Sequence, residues 1–293
     1  MLQWYYFALA SSVLLGIETL IEKGTLRKEY ASAYNASFTM LTAIVVLFFI
    51  PFAKFNVSMY DIIAFYIIGA ILALIFLLNA RIYRHGNISV ASPLLSTLPI
   101  FFVVVLGFTL LGEGLTYTQY LFMALLIVFS SLLLRNKTKD PDKKYFEKTK
   151  YTYLIALSGF LTAVAAILTR YFLIAGIDVF AFLVITQLSM ALNMAVYMTI
   201  KYGGIKEVMS NLIHHKVPLI SIALLTVVDR AFYYTATAIA FISLVAPVRY
   251  SINVIITTLI GGLIFKETNI LRKILLAVLM LISVYFIIVP FTI

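Results

Sequence analysis

The sequence predicts an all-α integral membrane protein with ten transmembrane helices in two inverted five-helix repeats. Three observations lead to this fold class. The 293 residues are 63% hydrophobic and only 12% charged, whereas soluble domains contain roughly 25% charged residues. Apolar runs of about 20 residues, each long enough to cross a bilayer, recur along the whole chain. An internal repeat then relates the two halves.

Each apolar run is expected to be a helix, because a helix satisfies its own backbone hydrogen bonds inside the bilayer. The first run begins with Trp4, Tyr5 and Tyr6, which suit an interfacial aromatic belt, and it lacks the basic start of a secretory signal. We therefore interpret it as a spanning helix. The ten predicted spans are residues 4–24, 33–53, 61–84, 88–111, 116–134, 151–174, 179–200, 218–241, 243–265 and 270–291.

The internal repeat is clearest in the fourth and ninth spans. Residues 89–113, SVASPLLSTLPIFFVVVLGFTLLGE, align without a gap on residues 243–267, SLVAPVRYSINVIITTLIGGLIFKE. The identities involve Ser, Pro, Gly and Glu, which chance matches between apolar segments seldom share. We therefore divide the chain into a first repeat (1–134), a basic linker (135–150) and a second repeat (151–293). Because five is odd, the second repeat enters the membrane from the opposite side, as in many secondary transporters.

The distribution of basic residues predicts the orientation. Of the 22 Lys and Arg residues, 18 lie in or beside the linker and the loops that follow the first, third, seventh and ninth spans. The positive-inside rule then places linker 135–150 in the cytoplasm and both termini outside, in a multi-pass protein of the cell membrane. The same rule explains the net charge of +10, so we do not expect nucleic acid as a partner.

Polar residues within the spans mark a candidate cavity. A charge in hydrocarbon costs on the order of 3 kcal/mol or more, so intramembrane charges are usually functional. The interiors of the fourth, fifth and tenth spans carry no charge, which indicates that a subset of helices lines the cavity. The residues that we select as substrate-binding candidates are Arg249, Arg230, Asp229, Tyr250, Asn253, Ser96 and Glu18.

The ninth span carries a polar stripe. Arg249, Asn253 and Thr257 recur every four residues, with Tyr250 at the border, and therefore lie on one helix face. The corresponding stripe of the fourth span is Ser89, Ser92 and Ser96. Prolines 93, 99 and 247 are expected to break or bend these two helices.

Two roles remain open for the main charged residues. Arg249 is expected either to bind an anionic group of a substrate or to form a structural ion pair with Asp229 or Glu18. Glu18 is either a proton-coupling carboxylate or the partner of a nearby arginine. Asp229 and Arg230 are adjacent and point about 100° apart, so we do not expect them to neutralise each other.

For the other polar residues within or at the ends of the spans, the sequence predicts a role less specifically. Gln187 and Asn193 of the seventh span suit interhelical hydrogen bonds. Glu113 and Glu267 end their spans, where a charge in the headgroup layer is the simplest interpretation. Their equivalence in the repeat leaves a conformational role open.

Several functions are disfavoured by missing motifs. The chain has no cysteine, so it lacks disulfides and thiolate metal ligands, and its three histidines fall in loops or at helix ends. There is no glycine-rich phosphate loop before a helix, so ATP hydrolysis is not expected. We expect no metal, no cofactor and no enzymatic activity.

The repeated motifs resemble the EamA-type branch of the drug/metabolite transporter superfamily. They are an A/S-x-P segment that leads through a glycine into Leu111-Gly112-Glu113 in one half and Phe265-Lys266-Glu267 in the other. Gly16 and Lys23 repeat the family's spacing, and Arg170 stands at the matching Lys position with Ala163 replacing the glycine. Leu15 replaces the family's usual tryptophan, and the termini of many members are cytoplasmic.

The resemblance implies a secondary transporter whose central cavity is formed by the first four helices of each half, with the fifth and tenth helices outside. We therefore expect alternating-access transport of small organic metabolites, possible examples being amino acids or other carboxylates, with export as the expected direction and a proton or counter-substrate as the coupling partner. The alternative is a multidrug exporter of lipophilic cations. A membrane-embedded transferase and a passive channel are less favoured, because neither a paired-carboxylate metal motif nor a Ser/His pair lies at membrane depth.

Overall fold

The computed structural model describes residues 3–26, 31–85, 88–134, 149–202, 208, 216–264 and 270–289. Within these ranges the secondary structure is helical and no strand occurs. The helices are α1 (Trp4–Leu26), α2 (Ala31–Val46), a 3₁₀ helix (Leu47–Phe52), α3 (Met59–His85), α4 (Ile88–Leu111), α5 (Tyr117–Leu134), α6 (Thr149–Ile174), α7 (Val179–Tyr202), α8 (Lys216–Ile239), α9 (Ile242–Ile264) and α10 (Ile270–Ile288).

Eight of these helices are long and apolar enough to cross a membrane, namely α1 to α4 and α6 to α9, with the 3₁₀ helix extending α2. The apolar parts of α5 and α10 are shorter, at residues 117–132 and 274–288. Large apolar side chains such as Phe48, Phe108 and Leu275 are exposed on the outside of the bundle, where lipid would cover them. The chain is thus built as a multi-pass helical membrane protein.

The predicted second span differs from the observed element. Its α-helix ends at Val46, and the chain continues as a 3₁₀ helix that contains Pro51. A proline has no backbone N–H, so Pro51 cannot donate the α-helical hydrogen bond to the carbonyl of Leu47. The prolines of the fourth and ninth spans were expected to break or bend these helices, and they do not break them, because α4 continues through Pro93 and Pro99 and α9 through Pro247.

The central helices pack closely around α9. Helix α1 packs on α8 and α9, and α4 packs on α6 and α9. Gly16 allows the close approach of α1, since a Cβ added there would lie 2.8 Å from the side chain of Ile256. Small residues at such crossings are common in membrane proteins, where dispersion contacts drive helix association. Helices α5 and α10 pack on each other beside α4 and α9, at the edge of the bundle.

Candidate functional site

A partly open cavity lies in the middle of the bundle, between α1, α3, α4, α6, α8 and α9, with about 960 Å³ of empty space including its mouth. All seven substrate-binding candidates line it: Glu18, Ser96, Asp229, Arg230, Arg249, Tyr250 and Asn253. Its lining also includes Glu22, Thr226 and a group of aromatic side chains, Phe76, Tyr83, Tyr233, Tyr234 and Tyr250. The cavity therefore combines charges of both signs with aromatic surface, as small-molecule sites do.

Arg249 forms a buried ion pair with Asp229. Its Nη2 lies 2.5 Å from Oδ2 of Asp229, and its Nε donates to the hydroxyl of Ser11 at 2.8 Å. Ser11 in turn donates to Oδ1 of Asp229 at 2.5 Å. The guanidinium carbon also lies 4.4 Å from the centre of the Tyr233 ring. Of the two ion-pair partners left open by the sequence, Asp229 is the observed one, and the resulting ring of contacts joins α1, α8 and α9.

Arg230 lies against a different wall of the cavity. Its guanidinium carbon is 5.0 Å from the centre of the Phe76 ring on α3, and its Nη2 lies 3.8 Å from the sulfur of Met190 on α7. Its Nη1 is buried and has no hydrogen-bond partner. Asp229 and Arg230 thus point to different neighbours, as expected from their adjacent positions on one helix.

Two carboxylates of α1 face the cavity one helical turn apart. Glu18 is 3% exposed and Glu22 is 6% exposed. Each has a carboxylate oxygen that is buried and without a hydrogen-bond partner, Oε2 of Glu18 and Oε1 of Glu22. Glu18 lines the same cavity as Asp229 and Arg230. Buried charged atoms without partners are costly, so these oxygens mark places where a ligand would gain most.

The polar stripes of α4 and α9 approach each other at Ser96 and Asn253. The amide nitrogen of Asn253 lies 3.5 Å from the Ser96 hydroxyl, and its carbonyl oxygen is buried without a partner. The side chains of Ser89 and Ser92 lie outside the described residues. Asn193 donates to the Ser189 carbonyl of its own helix, so this hydrogen bond is not the predicted interhelical one. The side chain of Gln187 is buried without a partner.

Sequence reasoning missed several lining residues that lie close to those it selected. Glu22 follows Glu18 by one turn, and Thr226 and Tyr233 stand one turn from Arg230 and Asp229. Helical spacing from the selected charges would have found all three. Phe76 and Tyr83 on α3 carry no such signal, because an aromatic residue in an apolar span normally faces lipid or packs in the core.

Glu113 lies at one end of the bundle and is 3% exposed, so it is covered by protein rather than facing the headgroup layer. Its carboxylate accepts hydrogen bonds from the backbone N–H groups of Ile242 and Ser243, at 3.0 and 2.9 Å, and from the Ser243 hydroxyl at 2.6 Å. Gly112 permits this geometry, because its φ of 64° turns the chain just before Glu113. Gly107 allows α9 to approach, since a Cβ there would clash with the Ser243 hydroxyl.

Arg170 completes this closed end. Its Nε lies 3.5 Å from Oε1 of Glu113, and its Nη1 donates to the carbonyls of Thr237 and Ala238 at the end of α8. A cation thus lies at the C-terminus of α8 and an anion at the N-terminus of α9, which complements both helix dipoles. At the other end of the bundle, the Lys23 ammonium donates to the carbonyl of Tyr83. The predicted partner motif at Glu267 falls outside the described residues.

Comparison with known proteins gives the fold alone. No protein-family model matches the chain, and no curated protein matches it. Among 26 chains of solved structures that match, one described only as "Crystal structure of protein" aligns with a TM-score of 0.68 and 12% identity, over 97% of this chain and 95% of that chain. The arrangement of helices is therefore a fold known from solved structures, shared over nearly the whole chain.

Proposed function

We propose that the protein is a secondary active transporter of small organic solutes that works by alternating access. The observation that carries this proposal is the partly open cavity within the helical bundle, which is lined by Glu18, Glu22 and Arg230, each with a buried polar atom that has no hydrogen-bond partner. Intramembrane charges that face a cavity normally bind a solute or ion. Substrate and coupling-ion sites of secondary transporters lie near the midplane between repeats.

We further propose ten spanning helices in two inverted repeats of five. The packing supports this arrangement, because exchanging α1 to α5 with α6 to α10 maps each main helix contact onto another. The pair α1–α9 becomes α6–α4, α1–α8 becomes α6–α3, α2–α8 becomes α7–α3, and α4–α5 becomes α9–α10. The pairs α4–α9, α2–α7 and α5–α10 map onto themselves. Two halves related by a pseudo-two-fold axis would produce this pattern.

The EamA-type branch of the drug/metabolite transporter superfamily is the family that we propose. Its motifs gain a physical explanation in the first repeat, where Gly107, Gly112 and Glu113 together bring the carboxylate to the start of α9. The position of α5 and α10 beside the bundle also agrees with the cavity that this family implies.

Alternating access requires that one end of the cavity be closed at a time. The Glu113 and Arg170 cluster closes the end at which α8 ends and α9 begins. The cavity extends the other way, toward Glu22 and Tyr83 near the C-termini of α1 and α3. The positive-inside rule assigns that end to the cytoplasm. We therefore propose a cavity loaded from the cytoplasm and export as the direction, driven by a proton or by a counter-substrate.

A multidrug exporter of lipophilic cations is the second candidate. The lining contains three carboxylates, Glu18, Glu22 and Asp229, against two arginines, and its aromatic rings suit organic cations. Such an exporter would depend on Glu18 and Asp229 and would tolerate loss of Arg230. A carboxylate transporter would depend on the arginines.

The test is solute flux in proteoliposomes that contain the purified protein. A panel of amino acids, other carboxylates and lipophilic cations is offered with and without a proton gradient. The proposal predicts saturable flux of at least one solute, reduced at least about tenfold by R230M or R249M for a carboxylate. Flux that does not saturate would indicate a channel, and no flux for any solute would contradict transport.

A further inference from the structure

We infer that the charged residues of the cavity divide into a binding set and a positioning pair, and that the binding set fits a cationic amino acid with one carboxylate and two cationic groups. Arg230 binds the carboxylate, Glu18 the α-ammonium group and Glu22 the side-chain cation. Asp229 and Arg249 position the helices around them. This inference rests on the proposed transport function and names the substrate class of the same cavity.

Arg249 already has a buried anionic partner. Its Nε and Nη2 are engaged by Ser11 and Asp229, and two tyrosine rings lie within 5.5 Å of its guanidinium carbon. Removing it from Asp229 would leave a buried carboxylate unpaired, which is strongly destabilising. A solute would have to replace that ion pair, so Arg249 is better suited to holding α9 against α8 and α1.

Arg230 has the opposite properties. Its Nη2 contacts the weakly accepting Met190 sulfur, and its buried Nη1 has no hydrogen-bond partner. The Phe76 ring holds the guanidinium in place without satisfying its hydrogen bonds. A ligand carboxylate would supply two acceptors to this planar donor group, which is the geometry that arginine prefers.

The charged residues that line the cavity indicate which charged groups the ligand carries besides its carboxylate. Once the Asp229 and Arg249 pair is set aside, the lining holds two carboxylates, Glu18 and Glu22, and one guanidinium, Arg230. The complementary ligand carries two positive charges and one negative charge. A neutral amino acid would leave one buried carboxylate uncompensated, whereas a basic amino acid would pair all three groups.

The spacing of the two glutamates is compatible with such a ligand. Residues four apart on a helix have Cβ atoms about 5–6 Å apart, which is similar to the distance between the two amino groups of lysine. Glu18 and Arg230 line the same cavity, so the ammonium and carboxylate on one α-carbon can be bound there together. Glu22 then binds the side-chain cation of the ligand, on the side of the cavity that is nearer the proposed cytoplasmic end.

Four matched probes test the three proposed ligand contacts one at a time. The probes are L-lysine, L-norleucine, which lacks the side-chain amine, L-lysinamide, which lacks the carboxylate, and 6-aminohexanoate, which lacks the α-amine. Affinity is measured by thermal-shift titration of the full-length protein in detergent, and flux is measured in proteoliposomes. We expect wild-type protein to bind L-lysine at least about tenfold more tightly than each analogue, since each lost charge-assisted pair is worth about that factor or more.

Three variants assign the contacts. R230M should abolish the preference for L-lysine over L-lysinamide, and E22Q should abolish the preference over L-norleucine. R249M is the matched arginine control. It should weaken the binding of L-lysine and of L-lysinamide by the same factor, because the loss of a positioning residue affects both ligands. If R230M does not fold, R230K tests the same preference, since lysine keeps the charge but lacks the planar donor pair.

Two results would overturn the inference. One is equal binding of L-lysine and L-norleucine by the wild-type protein. The other is loss of the carboxylate preference in R249M but not in R230M. Flux of neutral amino acids or lipophilic cations without flux of L-lysine would contradict this substrate class and leave transport intact. Absence of flux for the entire panel would contradict the transport function itself.

Discussion

The carboxylate of Glu113 caps the first turn of α9 by accepting hydrogen bonds from the backbone N–H and the hydroxyl of Ser243, 130 residues away in sequence. The free N–H groups of a helix N-terminus are usually satisfied by a residue of the same helix. Here the cap comes from the end of α4, and Arg170 ties it to the end of α8. One buried cluster therefore holds together four helices at one end of the cavity.

Removal of this cap should destabilise the protein. E113A leaves Arg170 and the N–H groups of α9 without their acceptor, and we expect a loss of about 3 kcal/mol, the scale found when one partner of a buried ion pair is removed. E113Q should cost less, because the amide oxygen still accepts one hydrogen bond. The measurement is thermal unfolding in detergent, followed by circular dichroism.

T109A is the matched control for E113A. Thr109 lies in the last turn of α4, four residues before Glu113, and it is exposed and donates to carbonyls of its own helix, so its loss should change stability by less than about 0.5 kcal/mol. If E113A unfolded at the same temperature as T109A, the cap would contribute nothing.

The ion pair of Asp229 and Arg249 predicts a strong coupling between these two positions. D229A and R249A each leave a buried charge unpaired, so each should cost about 3 kcal/mol or more. The double variant removes both charges and should cost less than the sum, by at least about 1 kcal/mol. Unfolding free energies of the four proteins give this coupling directly. Additive losses would show that the two side chains do not interact.

Two glycines of α1 should respond differently to the same substitution. An alanine Cβ at position 16 would lie 2.8 Å from Ile256, whereas at position 24 it would meet no atom within 4 Å. We expect G16A to destabilise the protein by about 1–3 kcal/mol through overpacking. G24A should be neutral or stabilising by up to about 1 kcal/mol, because alanine favours the helix. Equal effects would mean that α1 and α9 do not cross closely at Gly16.

The orientation can be tested with single cysteines, since the natural chain has none. Ser58 and Lys216 are exposed, in the connection that precedes α3 and at the start of α8. The positive-inside rule predicts that S58C reacts with an impermeant thiol reagent in intact cells and that K216C reacts only after the membrane is opened. The reverse pattern would place the basic linker outside.

The sequence predicted the helices well because hydropathy alone marks where a chain crosses a bilayer. The start of α4 at Ile88 and its end at Leu111 coincide with the predicted span. The second span also agrees, at residues 32–52, although Pro51 changes its hydrogen-bond pattern without changing hydropathy. The exceptions are the fifth and tenth spans, because the apolar parts of α5 and α10 are shorter. The seven candidates line one cavity because charge in an apolar helix is itself a strong constraint.

The sequence could not predict which charged residues form ion pairs or which are buried, because both depend on how the helices cross. Asp229 and Glu18 were both candidates for Arg249, and only the packing of α1, α8 and α9 shows that Arg249 contacts Asp229 directly while Ser11 hydrogen-bonds both residues. Glu113 was expected near the headgroups because it ends a span. Its burial follows from the turn at Gly112 and from the approach of α9, which no local pattern shows.

The central claim is that the buried polar cavity is the path of a solute. It is tested most directly by labelling N253C in inside-out vesicles with a small, water-soluble, impermeant thiol reagent. The account predicts that N253C reacts and that a transported solute slows its labelling, whereas L281C on the lipid-facing side of α10, where Leu281 is 45% exposed, does not react. Absence of labelling at position 253 from either side of the membrane would contradict a water-accessible cavity and with it the proposed transport path.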